Sequence, residues 1–215
     1  MAEPVRAVLS RDAIVLAAVD LIERDGVEAL SMRKVAARLG VAAMSLYHHV
    51  PNKAALVDAV VERLVADLDF ADDPGADPRE RARGMMRAFR KIARDRPRTA
   101  NLVLTRTFES PATLRLYEHA MEIARAAGFA GGDAARIASA FLSYAIGSLL
   151  REARFDRAAK SGGQPGGDPF IRGAEGIDPG RYPNVTALLA EGHVYDPDAE
   201  FEVGLEMLLR GLPES

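Results

Sequence analysis

The sequence predicts an all-α fold, and three observations carry that expectation. Apolar residues recur every three or four positions along nearly the whole chain, the period of one helix face. No alternating strand pattern persists for more than a few residues, and proline- and glycine-rich breakers divide the chain into helix-length pieces. The 215 residues are 48% hydrophobic and 27% charged, a balance that can close a core and argues against wholesale disorder. The expected architecture is an N-terminal three-helix helix-turn-helix domain over residues 1–55, followed by a helical body over 56–215.

The first helix starts after Ser10, a good N-cap, carries Ile14, Ala18, Leu21 and Ile22 on one face, and stops at Gly26. Ser31 caps a short second helix whose Val35, Ala36 and Leu39 share a face, and Gly40 permits a tight turn. Residues 42–49 form a third short helix, ended by Pro51. A fourth runs from near Asn52 to about Phe70, with Leu56, Val60, Leu64 and Leu68 toward a core. The loop ADDPGADP at 71–78 precedes a fifth helix to Arg96, with Met85, Phe89 and Ile92 as its stripe. Beyond Pro97 a short helix covers about Thr99 to Thr105. The seventh spans Pro111 to Ala127 before Gly128, with Leu114, Tyr117, Met121 and Ala124 apolar. The eighth, Asp133 to Phe155, carries two stripes: Ile137, Phe141, Tyr144 and Ser148, then Ala138, Leu142, Ala145 and Leu149. Two stripes imply two packing partners. Residues 156–182 are crowded with glycine and proline and read as a long mobile loop. A short helix at Asn184–Glu191 precedes the last, where Phe201, Leu205, Leu208, Leu209 and Leu212 form one wide face broadened by Val203 and Met207.

Charge is distributed unevenly. The chain has a net charge of −3, yet the segment SMRKVAARLGVAAMSLYHHVPNK at 31–53 holds Arg33, Lys34, Arg38 and Lys53 and no acidic residue. A basic block within an acidic chain is the footprint of a polyanion site. Short helix, glycine turn and short helix follow the helix-turn-helix plan, in which the second of the pair enters the major groove. Leu46 and Val50, with Val41 ahead of the helix, anchor it inward. Ala43, Met44, Ser45, Tyr47, His48 and His49 remain for DNA.

This segment resembles the DNA-binding domain of the tetracycline-repressor (TetR) family, most clearly through LGVAAMSLYHHVPNKAALVDAV and over roughly residues 10–68. The resemblance implies that Arg33 reaches a base edge. It places Tyr47, His49 and Lys53 on phosphates. Ala43 and Met44 stand where the tetracycline repressor has glutamine and proline, so the resemblance does not carry over an operator sequence. Apolar side chains there suit contacts such as thymine methyls.

The body resembles the same class more weakly, through NLVLTRTFESP, Tyr182-Pro183-Asn184 and FEVGLEMLLRGL. The resemblance implies a homodimer in which the long eighth helix and the last helix pair with their symmetry mates. It implies a ligand-responsive regulator whose partners are a double-stranded DNA operator and a small-molecule inducer, with repression the family default. Leu102 stands three residues before Thr105-Arg106, where the tetracycline repressor has a metal-binding histidine, which argues against metal-tetracycline as the ligand. With Leu102, Thr105 and Arg106, the aromatics Phe89, Phe108, Tyr117, Phe141 and Tyr144 are the pocket candidates, against the plainer alternative that aromatics at helical spacing are core.

Other features carry less. His48 and His49 point about 100° apart on a helix and lack neighbouring ligands, so no metal is expected there. The glycine-rich 161–167 stretch lacks the Gly-Lys-Ser/Thr ending of a phosphate loop. The arginines of the fifth helix suit a solvated face better than an anion site. There is no cysteine, no G-x-S-x-G elbow, no His-Glu-x-x-His and no dinucleotide glycine pattern, so neither an enzyme nor a cofactor is expected. The N-terminus lacks the apolar core of a signal peptide and no run reaches the roughly 20 apolar residues of a membrane span. A cytoplasmic protein without membrane contact is the expectation.

Overall fold

The computed structural model describes residues 9–68, 73–105, 111–160 and 176–213. Among them the regular elements are helical: α1 (Arg11–Asp25), a 3-10 turn (Val27–Ala29), α2 (Met32–Leu39), α3 (Ala43–Tyr47), α4 (Lys53–Ala66), α5 (Pro78–Asp95), α6 (Pro97–Thr105), α7 (Pro111–Ala126), α8 (Gly131–Lys160), α9 (Pro183–Ala190) and α10 (Pro197–Leu209). No described helix is long and apolar enough to cross a membrane. The chain divides into two compact units, one ending at Ala138 and the other starting at Ser139. The division expected near residue 55 falls within the first unit, on α4.

Local chemistry sets the helix starts. The hydroxyl of Ser10 accepts from the Ala13 amide at 3.1 Å, that of Ser31 from Lys34 at 3.3 Å, and the Asn52 side chain from Ala55 at 2.8 Å. Each satisfies an amide that has no partner within its own helix. Asp77 does the same for α5, whose first residue is Pro78. Gly40 closes α2 at φ 67°, in the left-handed region that a side chain enters only at a cost.

In the first unit α1 packs on α2, α4 and α6, α2 on α3, and α4 and α5 each on both α6 and α7. Ile14, Ala18, Leu21 and Ile22 of α1, Val35 and Ala36 of α2, Leu46 and Val50, and Leu56, Val60 and Leu64 of α4 form its core. Burying each larger side chain contributes roughly 1.5–3 kcal/mol.

Several boundaries and faces differ from expectation. α3 is shorter than 42–49, because both His49 and Val50 donate their amides to the Leu46 carbonyl in a closing turn before Pro51. α4 ends at Ala66, where the Leu68 amide folds back on Val65 and the Asp67 carboxylate is held by Arg63 at 2.8 Å and Arg96 at 2.9 Å. The buried face of α5 is Ala82, Met86, Phe89 and Ala93, not Met85 and Ile92. Arg81 and Arg90 are buried beside it, so the helix is not uniformly a solvated basic face. On α7 Thr113, Leu116, Ile123 and Ala124 are buried and Leu114 is exposed. α8 runs through Lys160, five residues beyond Phe155, since DRAAK contains good helix formers and no breaker. Residues 161–175 of the expected loop lie outside the described residues.

In the second unit Phe201, Leu205, Leu209 and Leu212 are buried, as are Ala145 and Leu149 of α8. The Tyr144 hydroxyl donates to the Phe201 carbonyl at 2.7 Å and its ring stacks on Phe201 at 5.8 Å. A Cβ at Gly204 would fall on the Tyr144 ring, so glycine is what lets α10 lie against α8 there. Arg151 pairs with Glu200 at 2.9 Å, and Phe155 packs on Tyr195 at 4.6 Å between ring centres. Val203 and Met207, which broaden the apolar face of α10, point outward in the single chain, 62% and 69% exposed.

Candidate nucleic-acid interface

The third helix is amphipathic in the way an inserted helix must be. Leu46 and Val50 are buried, fixing α3 against α2, whereas Met44, Tyr47, His48 and His49 are exposed. Met44, at 73% exposure, is among the most exposed large apolar side chains of the described chain. Ala43 and Ser45 are half-buried at the start of the helix, and Val41 is half-buried rather than a full anchor. Met44 stands on the same outward side of α3 as the exposed Tyr47, His48 and His49.

The cations around this helix divide into two groups. Arg38 donates to Asp20 of α1 at 2.6 Å, which commits it to holding α2 on α1. Arg33, Lys34 and Lys53 are exposed, and among the described residues none of them closes an ion pair, although the Lys34 charge acts on the Asp25 carboxylate. Lys53 is the first residue of α4, next to the capped start of that helix, where free amides and the helix dipole favour an anion. The eight residues expected at DNA therefore lie on α2, on α3 and the turn after it, or at the first residue of α4, and none is fully buried. Among the described residues no three histidine, aspartate or glutamate side chains converge on a metal position.

Two sequence profiles cover most of the chain. Residues 14–60 match the bacterial regulatory proteins of the tetR family, and residues 71–215 match the tetracyclin repressor-like C-terminal domain. The chain belongs to the TetR family. TetR-family proteins are DNA-binding transcription regulators, not enzymes, and this chain is one of them.

An HTH-type transcriptional regulator of Saccharopolyspora erythraea is 31% identical to it, over 96% of this chain and 86% of the relative. The HTH-type transcriptional repressor Rv1353c of Mycobacterium tuberculosis is 32% identical, over 95% and 80%. Among solved structures, the TetR regulator SCO7222 of Streptomyces coelicolor superposes with a TM-score of 0.78 at 26% identity, over 95% and 97% of the two chains.

The residues considered for a TetR-type effector pocket are distributed over both units. In the first, Phe89 and Leu102 are buried and Tyr117 is half-buried. In the second, Phe141 and Tyr144 are half-buried, and Tyr144 is committed to α10 through its hydrogen bond and ring contact. Arg106, Phe108 and the Thr105 side chain lie outside the described residues. A groove of about 430 Å³ runs between α8 and α10, lined in part by Tyr144, Gly147, Arg151, Glu200, Val203 and Met207. Sequence reasoning did not single out Gly147, Arg151 or Glu200, whose relation depends on how α8 pairs with α10. The outward Val203 and Met207 were the available signal.

Proposed function

We propose that the chain is a homodimeric repressor that leaves a palindromic operator when a small apolar or amphipathic inducer binds its helical body. The observation that carries the reading is the division of α3, with Leu46 and Val50 buried and Met44, Tyr47, His48 and His49 exposed. Such a helix is fixed from behind and free in front. Arg33 reads a base edge with its planar fork, Met44 and Ala43 make apolar contacts in the groove, and Ser45 and His48 lie beside them. Tyr47, His49 and Lys53 hold phosphates. Repression follows the name of the mycobacterial relative, and the site of action is the cytoplasm, where the operator is.

Residues 1–55 read the DNA, and residues 56–215 sense the ligand and dimerise. The inducer occupies the body near Phe89, Leu102, Thr105, Arg106, Phe108 and Tyr117, and α4 carries the response, since Lys53 begins it at the DNA while Leu56, Val60 and Leu64 tie it to the core. Two half-sites are spaced by the duplex, so a small change in separation of the two heads breaks register.

The test is to select the preferred sequence from random duplexes, then screen compounds for release from it. The expected result is a two-fold symmetric site whose affinity falls steeply with salt and an inducer that binds free protein more tightly than operator-bound protein. Absence of sequence preference overturns the DNA reading. An equal affinity of the inducer for both forms overturns the response.

A further inference from the structure

The start of α6 lacks any local cap. It follows α5 directly, with Arg96 at the capping position and Pro97 first. A guanidinium has no acceptor and proline has no amide, so the amides of Arg98 and Thr99 need an acceptor from elsewhere. Glu23, in the last turns of α1, supplies it. One carboxylate oxygen accepts from the Thr99 amide at 2.6 Å and the Thr99 hydroxyl at 2.5 Å, and the other from the Arg98 amide at 3.4 Å. Thr99 is fully buried in this contact. In return the Arg98 guanidinium donates at 2.6 Å to the Arg24 carbonyl, in the final turn of α1, where carbonyls run out of helical partners.

We propose that Glu23 is the positioning residue that couples α6 to the DNA-reading head, through this reciprocal capping of the α1 C-terminus and the α6 N-terminus. The proposal rests on the ligand-responsive reading and adds to α4 a second route. α1 carries the core residues Ile14, Ala18, Leu21 and Ile22 beneath α2 and α4, so it moves with the head. α6 carries Leu102 and Thr105, two of the pocket residues. A shift of α6 either drags α1 with it or leaves a half-buried carboxylate and two helix-end amides without partners, which is costly. A parallel chain of ion pairs, Arg96 to Asp67, Asp67 to Arg63 and Arg63 to Asp12, also reaches α1. It is more exposed and is weakened by salt, which leaves Glu23 as the firmer tether.

Coupling of this kind is reciprocal, so the operator must be felt at α6 without any inducer. The experiment uses the full chain and the operator selected from random duplexes, and follows amide hydrogen exchange over residues 97–102 by mass spectrometry, with and without that DNA. In the unaltered protein the operator is expected to slow exchange there by about fivefold, the scale of one helix cap. In Glu23→Ala the slowing is expected to vanish while the operator is still bound, and Glu23→Gln, which keeps one acceptor, should fall between. A merely structural cap would speed exchange in both states and leave the operator-dependent difference intact, which overturns the proposal. So does an operator that leaves α6 unaffected in the unaltered protein. Should Glu23→Ala fail to fold, Thr99→Val and Glu23→Gln carry the same comparison. Failure to select any operator overturns the DNA-binding reading itself, and is thereby distinguishable from failure of the coupling.

Discussion

Arg33 and Lys53 are both exposed cations beside α3, but they do different work. Arg33 is assigned a base edge, so Arg33→Ala should cost about 1–3 kcal/mol at the operator and relax preference at one base pair. Tyr47→Ala should also weaken operator binding. Both side chains face outward, so both variants should keep the thermal midpoint of the parent. Lys53→Ala should instead weaken all duplexes alike and lower the salt slope by about one. Competition binding against scrambled duplexes at two salt concentrations separates these outcomes, and unchanged operator affinity in both Arg33→Ala and Tyr47→Ala would refute the docking. The outward residues of α3 were legible because a five-residue helix anchored by Leu46 and Val50 leaves little freedom in which side chains emerge. The role of Arg38 was not, since its partner Asp20 lies on another helix and nothing local marks the pair.

Helix boundaries were most legible where one side chain decides them, and faces least legible where alanine does. Ser10, Ser31 and Asn52 were readable as starts because an N-cap requires only an acceptor at the right place. On α5 the packed face includes Ala82 and Ala93, whose small side chains add little to an apolar stripe, so the expected stripe settled on larger neighbours such as Met85; on α7 the expected Ala124 is buried but Leu114 is exposed. The Tyr144 contact with Phe201 and the Glu23 contact with Thr99 join residues far apart in sequence, and no periodicity reports such pairs. Two substitutions probe the element scale. Asn52→Ala removes the cap of α4 and should cost about 1 kcal/mol of stability, read as a lower denaturant midpoint. Gly204→Ala sets a methyl group against the Tyr144 ring, and by overpacking should cost roughly 1–3 kcal/mol. If Gly204→Ala is as stable as the parent, α10 does not lie on α8 as closely as described.

A single chain presents one reading head, whereas a palindromic operator presents two half-sites about 34–36 Å apart. Pairing two copies therefore falls to surface that a lone chain leaves unfilled, and the second unit has such a surface in Val203 and Met207 of α10 and the groove beside them. Leu205 and Leu209, on the same helix, are already buried within one chain. The two positions accordingly predict different failures. Met207→Glu places a charge on a face that water already reaches in the monomer, so the chain should fold normally yet fail to pair, because pairing would strand that charge in an apolar contact. Leu205→Glu places the charge in the core of the unit itself and should cost more than about 4 kcal/mol. Sedimentation velocity with thermal unfolding distinguishes the two. The expected pattern is a dimer for the unaltered chain, a folded monomer with lost operator affinity for Met207→Glu, and an unfolded or aggregated chain for Leu205→Glu. A dimer that persists in Met207→Glu and in Val203→Glu would place the pairing surface elsewhere, and a stable monomer of the unaltered chain at micromolar concentration would remove the two-headed mechanism altogether.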